Sequence, residues 1–174
     1  IVWPEGDAAM NVLGYREASA TAIELVLPGT SDLRCVSLPM LALLKLIAWE
    51  DRHLRAPRKD AADFFLIVEN YLEGDNAERL YCEAAHLLDA DDFDYEPAGA
   101  WLAGHDAAKA LIHAGSRGSK TVEAIDAVLR TETDSQGKLR LVGDIAEDSQ
   151  RRLRLIASYR AGFRFVIDGD GASQ

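Results

Sequence analysis

Lys45, Asp60 and Asp63 are the residues whose types and spacing most suggest chemistry in this chain. Lys45 is the only charge in the run from Leu38 to Trp49, so one ammonium emerges from an otherwise apolar wall. On a helical wheel it shares a stripe with Leu41, Ala48, Trp49 and Arg52. Asp60 and Asp63 fall i,i+3 at one edge of a second apolar face. A flexible ammonium steered by a neighbouring carboxylate offers a point charge suited to phosphate oxygens. The competing reading is structural: the lysine stem snorkels past Leu41 and Ala48, or its head pairs permanently with Asp60 between two helices.

Other groups carry weaker signals. Arg151, Arg152 and Arg154, with Arg160 and Arg164 beyond them, concentrate positive charge in a chain of net charge −10. The first three are candidate contacts for an RNA acceptor, against the alternative that their stems cover an apolar stripe and their heads pair with local acids. The acidic run Asp89 to Asp94 invites a calcium reading, but an EF-hand loop needs an acid or amide where Phe93 stands and a glycine next, so a solvated loop is expected. His53, His86, His105 and His113 form no i,i+4 metal pair and read as surface or capping residues; no metal ligand is assigned in this chain. Glu24 reads as solvent-facing on a strand. Cys35 and Cys82 are too isolated for a disulfide framework or a zinc motif and read as reduced thiols.

The elements that must hold Lys45 and the aspartates are two helices. Ser37 is a candidate N-cap and Pro39 sits in a first turn, where its missing N–H leaves no bond unmade. The run to Trp49 is apolar nearly all round, which predicts a buried helix. Polar residues Glu50 to Lys59, with Pro57, end it, and Ala61, Phe64, Phe65, Val68 and Leu72 then recur at helical spacing. Upstream, Ile1 to Trp3 reads as a strand end, Pro4 to Asp7 as a turn and Met10 to Ala20 as a short helix. Ala22 to Leu27 and Leu33 to Val36 read as a hairpin across the turn Pro28 to Asp32. Downstream, helices are expected over Ala77 to Leu88, Ala98 to about Ala114, Thr121 to Leu129 and Ser149 to about Phe165. The last has Leu153, Ile156, Ala157 and Phe163 inward. Gly115 to Ser119 reads as a linker, Leu139 to Ile145 as strand or helix, and Asp168 to Gln174 as a disordered tail.

The order and spacing of the motifs make the chain recognisable. A Leu-Pro start, the run Leu43-Leu44-Lys45-Leu46-Ile47-Ala48-Trp49, a polar link and Arg58-Lys59-Asp60-Ala61-Ala62-Asp63-Phe64 resemble the nucleotidyltransferase AbiEii/AbiGii toxin family. The resemblance extends upstream through Trp3-Pro4 and Met10-Asn11-Val12-Leu13-Gly14-Tyr15, and more weakly downstream to about Asp106. It implies an enzyme that transfers a nucleotide from an NTP to an RNA (tRNA) or protein acceptor with Mg²⁺, and that has a cognate antitoxin. By the family's pattern, Lys45, Asp60 and Asp63 lie beside the nucleotide. The family's Asp-x-Asp pair and the further acid before Trp-Pro have no counterpart here, so the chain is expected to be the C-terminal part of a longer protein, inactive by itself, with Mg²⁺ bound only in the full-length protein. The noncatalytic alternative is a helical interaction domain in which Lys45 and the aspartates form a structural pair.

The expected fold is α+β and mostly helical. Residues 1–37 would carry the remnant of a nucleotidyltransferase α/β domain with its hairpin, residues 38–115 a helical domain completing the nucleotide site, residues 116–167 a further helical segment and residues 168–174 the tail. At 174 residues and 48% hydrophobic content, the chain can bury one sizeable core. Its negative charge argues against diffuse binding to nucleic acid or an anionic membrane. No apolar run is long enough to span a bilayer, and a cytoplasmic protein is expected.

Overall fold

The computed structural model describes residues 11–29, 33–52, 54–55, 57–117, 119–137, 139–145 and 147–169. Its element order is α1 (Tyr15–Ala20), β1 (Ile23–Leu25), β2 (Leu33–Cys35), α2 (Leu38–Arg52), α3 (Pro57–Glu69), α4 (Leu80–Glu83), α5 (Ala85–Leu88), α6 (Tyr95–His113), α7 (Lys120–Thr133), α8 (Arg140–Gly143) and α9 (Ser149–Gly169), with 3₁₀ turns at Tyr71–Glu73 and Ala77–Arg79. The fold is thus mostly helical, with a single antiparallel hairpin near the N-terminal end among the described residues. The hairpin pairs Ile23 with Cys35, Glu24 with Arg34 and Leu25 with Leu33, so Ile23, Leu25, Leu33 and Cys35 share one face. Both strands are exposed throughout.

Helix α2 starts where Ser37 and Pro39 predict, and the Ser37 carbonyl accepts from Leu41 N at 2.8 Å. Its burial is one-sided. Met40, Ala42, Leu43, Leu46, Ile47 and Trp49 are buried, whereas Leu41, Leu44, Lys45 and Ala48 form a half-buried outer stripe. The apolar composition conceals this asymmetry, because leucines on the outer stripe are indistinguishable in sequence from leucines in the core. Helix α3 packs Ala61, Phe64, Phe65 and Val68 inward, all of them fully or almost fully buried. Its principal partner is α2.

The centre of the molecule is the crossing of α6 and α9. Gly104 and Gly162 allow it: a Cβ on Gly104 would stand 1.9 Å from the Tyr159 carbonyl oxygen, and one on Gly162 1.9 Å from that of Trp101. The two backbones touch there, which only hydrogen in place of a side chain permits. Asp94, the last residue of the acidic run, caps α6 by accepting from Glu96 N at 3.2 Å. Ser119 caps α7 through Val122 N at 3.4 Å.

Several local expectations change. The segment Ala77 to Leu88 is not one helix but a 3₁₀ turn followed by α4 and α5, broken at Ala84, whose φ of −127° lies outside the helical region. Residues 11–14 precede α1 rather than belonging to it, and Gly14 adopts a φ of 83°. The undecided stretch Leu139 to Ile145 contains α8. In α9, Leu155 and Tyr159 are buried with Ile156 and Phe163, while Ala157 is exposed. Asp168 and Gly169, expected in the tail, still belong to α9. The strand end at Ile1 to Trp3, the turn at Pro4 to Asp7, Met10, Thr30 to Asp32, His53 and the last residues of the tail lie outside the described residues.

The Gly115 to Ser119 link is anchored. Ser116 is 1% exposed, and its hydroxyl donates to Glu17 Oε1 at 2.7 Å, with Thr121 donating to the same oxygen at 3.3 Å. Burial pushes the Glu17 carboxyl up, but the Ser116 hydrogen bond and the smaller contributions around it outweigh that and hold its pKa below the ordinary 4.5. Buried apolar residues from α1 to α9 form one continuous core.

Candidate functional site

Lys45 projects from the outer stripe of α2 towards the first two turns of α3 and meets both predicted acids. Its Nζ donates to Asp63 Oδ2 at 2.5 Å and to Asp60 Oδ1 at 3.4 Å. Arg52, on the same stripe of α2, donates from Nη2 to the other Asp60 oxygen, Oδ2, at 2.6 Å. The Asp60 side chain is 2% exposed and that of Lys45 23%, whereas Asp63 stands 39% exposed at the rim. The structure therefore brings all three sequence-predicted residues together. It adds Arg52, which the helical wheel places on Lys45's stripe.

Partial burial draws the Lys45 ammonium's pKa down. The hydrogen bond to Asp63 and the charges of Asp63 and Asp60 act oppositely and prevail, so it stays above its ordinary 10.5 and the group is a fixed cation. The buried Asp60 braces two cations from below while Asp63 closes the outer side. Such an arrangement can present a held ammonium to an anion arriving at the rim. It does not suit Mg²⁺. A magnesium ion requires free oxygen ligands in near-octahedral array at roughly 2.0–2.1 Å. Here both Asp60 oxygens and one Asp63 oxygen are already hydrogen-bonded to positive heads.

The three arginines proposed from sequence do not share one free surface. Arg151 grips Glu96 with Nε at 3.0 and 2.8 Å and with Nη2, and lies 3.7 Å from Glu69. The Glu96 hydrogen bond holds its guanidinium above the usual arginine range. Arg152 stands 3.4 Å from Glu69 and lies over the Phe65 ring at 5.2 Å. Arg154 is 64% exposed and reaches Asp94 at only 3.9 Å. Cys35 and Cys82 are exposed free thiols.

A second polar cluster escaped sequence reasoning. Arg79 makes a bidentate pair with Asp106 at 2.7 Å on each arm, and its Nε reaches Glu83 at 2.7 Å. The Tyr71 hydroxyl donates to Asp106 at 2.6 Å, and His105 Nδ1 lies 3.2 Å from the same carboxylate. Burial alone would raise the Asp106 pKa; bonds from His105, Arg79 and Tyr71 reverse this and hold it well below the carboxylate range. His105 is not a surface residue, as expected, but 7% exposed and stacked on Trp101 at 5.1 Å. One ligand atom each from Glu83, His105 and Asp106 lie within 4.8 Å of one another. Arg79 occupies both Asp106 oxygens and Lys109 reaches Glu83 at 3.3 Å, so the cluster is already charge-compensated and reads as a brace joining α4 to α6. The one sequence signal was the i,i+4 pair Arg79 and Glu83.

No helix among the described residues is long and apolar enough to cross a membrane. No protein-family model, curated protein or solved structure gives a significant match to the chain.

Proposed function

We propose that this chain is the nucleotide-positioning helical part of a cytoplasmic, nucleotidyltransferase-like toxin. The whole protein would transfer a nucleotide from an NTP to an RNA, such as tRNA, or to a protein acceptor, and an antitoxin would restrain it. In such a transfer the acceptor oxygen attacks the α-phosphorus and pyrophosphate departs. Mg²⁺ would be held by carboxylates other than Asp60 and Asp63. Lys45 meets the phosphate oxygens, Asp60 fixes its direction together with Arg52, and Asp63 yields its hold on the ammonium as the triphosphate arrives. The observation that carries this reading is a lysine head bound by one buried and one rim carboxylate on a half-buried helix face. Together with the resemblance of the two helices to the AbiEii/AbiGii pattern, it distinguishes Lys45 from an ordinary surface cation.

A second reading is favoured by one feature of the same cluster. Lys45 and Arg52 balance Asp60 and Asp63, so the group is complete without a ligand and would serve as a helix-to-helix clamp in a noncatalytic interaction domain. Lys45→Met separates the two. It keeps most of the stem and removes the charge. In the full-length protein it is expected to leave the melting temperature nearly unchanged while weakening NTP binding at least about tenfold, roughly 1.4 kcal/mol. Unfolding of the variant, or unaltered NTP affinity and growth inhibition, would establish the clamp instead.

A further inference from the structure

We infer that the groove between the turn before α6 and the outer face of α9 binds a small organic cation, an amine carrying an apolar body. A cavity of about 380 Å³ opens there. Small-molecule sites commonly enclose roughly 300–1,000 Å³. Leu87 of α5 and Phe93 of the turn, both half-buried, form one side with Pro97 and Trp101 of α6. Ala157 and Ala161, exposed on α9, form the other, and their small side chains leave the space open. Residues 154, 157, 158 and 161 fall on one helical stripe, so Arg154 and Ser158 continue that side with polar groups.

The charged groups of the lining choose the ligand. They are Asp92, Asp94 and Arg154, two carboxylates against one guanidinium, which leaves negative charge in excess. Asp94 is already engaged: Oδ1 accepts from Glu96 N at 3.2 Å and Oδ2 stands 3.9 Å from Arg154. Asp92 is exposed and, among the described residues, makes no hydrogen bond or ion pair. An ammonium seated against Asp92 balances the lining, whereas a carboxylate ligand would add to the excess. The apolar sides reward only a ligand that also brings apolar surface, and the half-buried Phe93 ring attracts a cation further. The net charge of −10 raises the local concentration of cations over anions. The groove uses none of Lys45, Asp60 and Asp63, and its existence does not depend on the nucleotide reading.

The test is a titration of the 174-residue chain with phenethylamine and, separately, with phenethyl alcohol and hydrocinnamate, which are neutral and anionic molecules of similar shape. Ionic strength and a near-neutral pH are held constant, and NMR shifts of α6 and α9 amides are followed. Saturable binding of the amine is expected, at least about threefold tighter than that of the alcohol or the carboxylate. Asp92→Asn, on an exposed turn, should erase this preference. Ala157→Phe should abolish binding of amine and alcohol alike by filling the groove, and Glu123→Gln, an exposed acid of α7, should change neither. Melting curves accompany each variant, and if Ala157→Phe proves unstable, Ala161→Phe carries the comparison. No saturable binding of the amine, tighter binding of hydrocinnamate, a preference for the amine that survives Asp92→Asn, or its equal loss in Glu123→Gln overturns the proposal.

Discussion

Asp106 shows how a single side chain acquires its role from neighbours drawn from separate elements. Arg79 and Tyr71 reach it from the region before α4, while His105 precedes it on α6. Its folded pKa lies below the ordinary 3.8, so its contribution to stability is complete above about pH 4 and disappears as the pH falls through that lowered value. Asp106→Asn leaves Arg79 without its bidentate partner and is expected to cost about 2–3 kcal/mol near neutral pH. The deficit should narrow below pH 3.8, where the unfolded parent takes up a proton that the folded carboxylate still refuses. Urea denaturation at a series of pH values checks this, and a deficit that grows on acidification would show that the carboxylate is not what Arg79 and Tyr71 hold. No local pattern announced this cluster, because its contacts span up to 35 positions of sequence. Lys45, Asp60 and Asp63 were legible because each lies on a regular helix whose wheel fixes its direction.

At the scale of elements, the α6 and α9 crossing sets the architecture. Gly104→Ala would drive a methyl into the Tyr159 backbone, which cannot swing aside as a side-chain end can. Overpacking of this kind is expected to destabilise by at least about 2 kcal/mol. Gly143→Ala, in α8 with nothing within 4 Å of the added methyl, should be neutral or stabilise by about 0.5 kcal/mol through the unfolded chain. Denaturation midpoints that place Gly104→Ala beside Gly143→Ala would mean that the helices cross elsewhere. The position of α9's buried face was harder to read, since Leu153, Leu155, Ile156, Ala157, Tyr159 and Phe163 support more than one inward stripe. Contacts from α6 and α7 choose the stripe through Leu155 and Tyr159, and this leaves Ala157 outside.

For the molecule as a whole, the continuous core makes the buried side of α2 indispensable. Leu43 is 0% exposed, and Leu43→Asp should prevent folding, since an unpaired carboxylate in an apolar site costs several kcal/mol against a total stability of roughly 5–15 kcal/mol. Leu44 is a poorer test: it lies on the half-buried stripe, where an introduced carboxylate retains access to water. Asp92→Ala, on the exposed turn before α6, should alter stability by about 0.5 kcal/mol or less. A cooperative melting transition for Leu43→Asp matching the parent would refute the core.

The sequence by itself determined the mostly helical α+β class, the hairpin, the start of α2, and the stripes of α2 and α3 on which Lys45, Asp60 and Asp63 lie. These follow from caps, prolines and periodicity, which act within a few turns of chain. Only the tertiary structure decided which apolar residues of α2 are covered, that Ala77 to Leu88 breaks at Ala84, and that Arg151 and Arg152 are spent on Glu96 and Glu69. Trp49 finding Asp144 at 2.7 Å and Glu17 finding Ser116 at 2.7 Å belong to the same class. Each depends on two distant segments meeting at a particular distance and angle. That geometry is fixed by the packing of whole helices, and the residue types on either segment are compatible with many other partners.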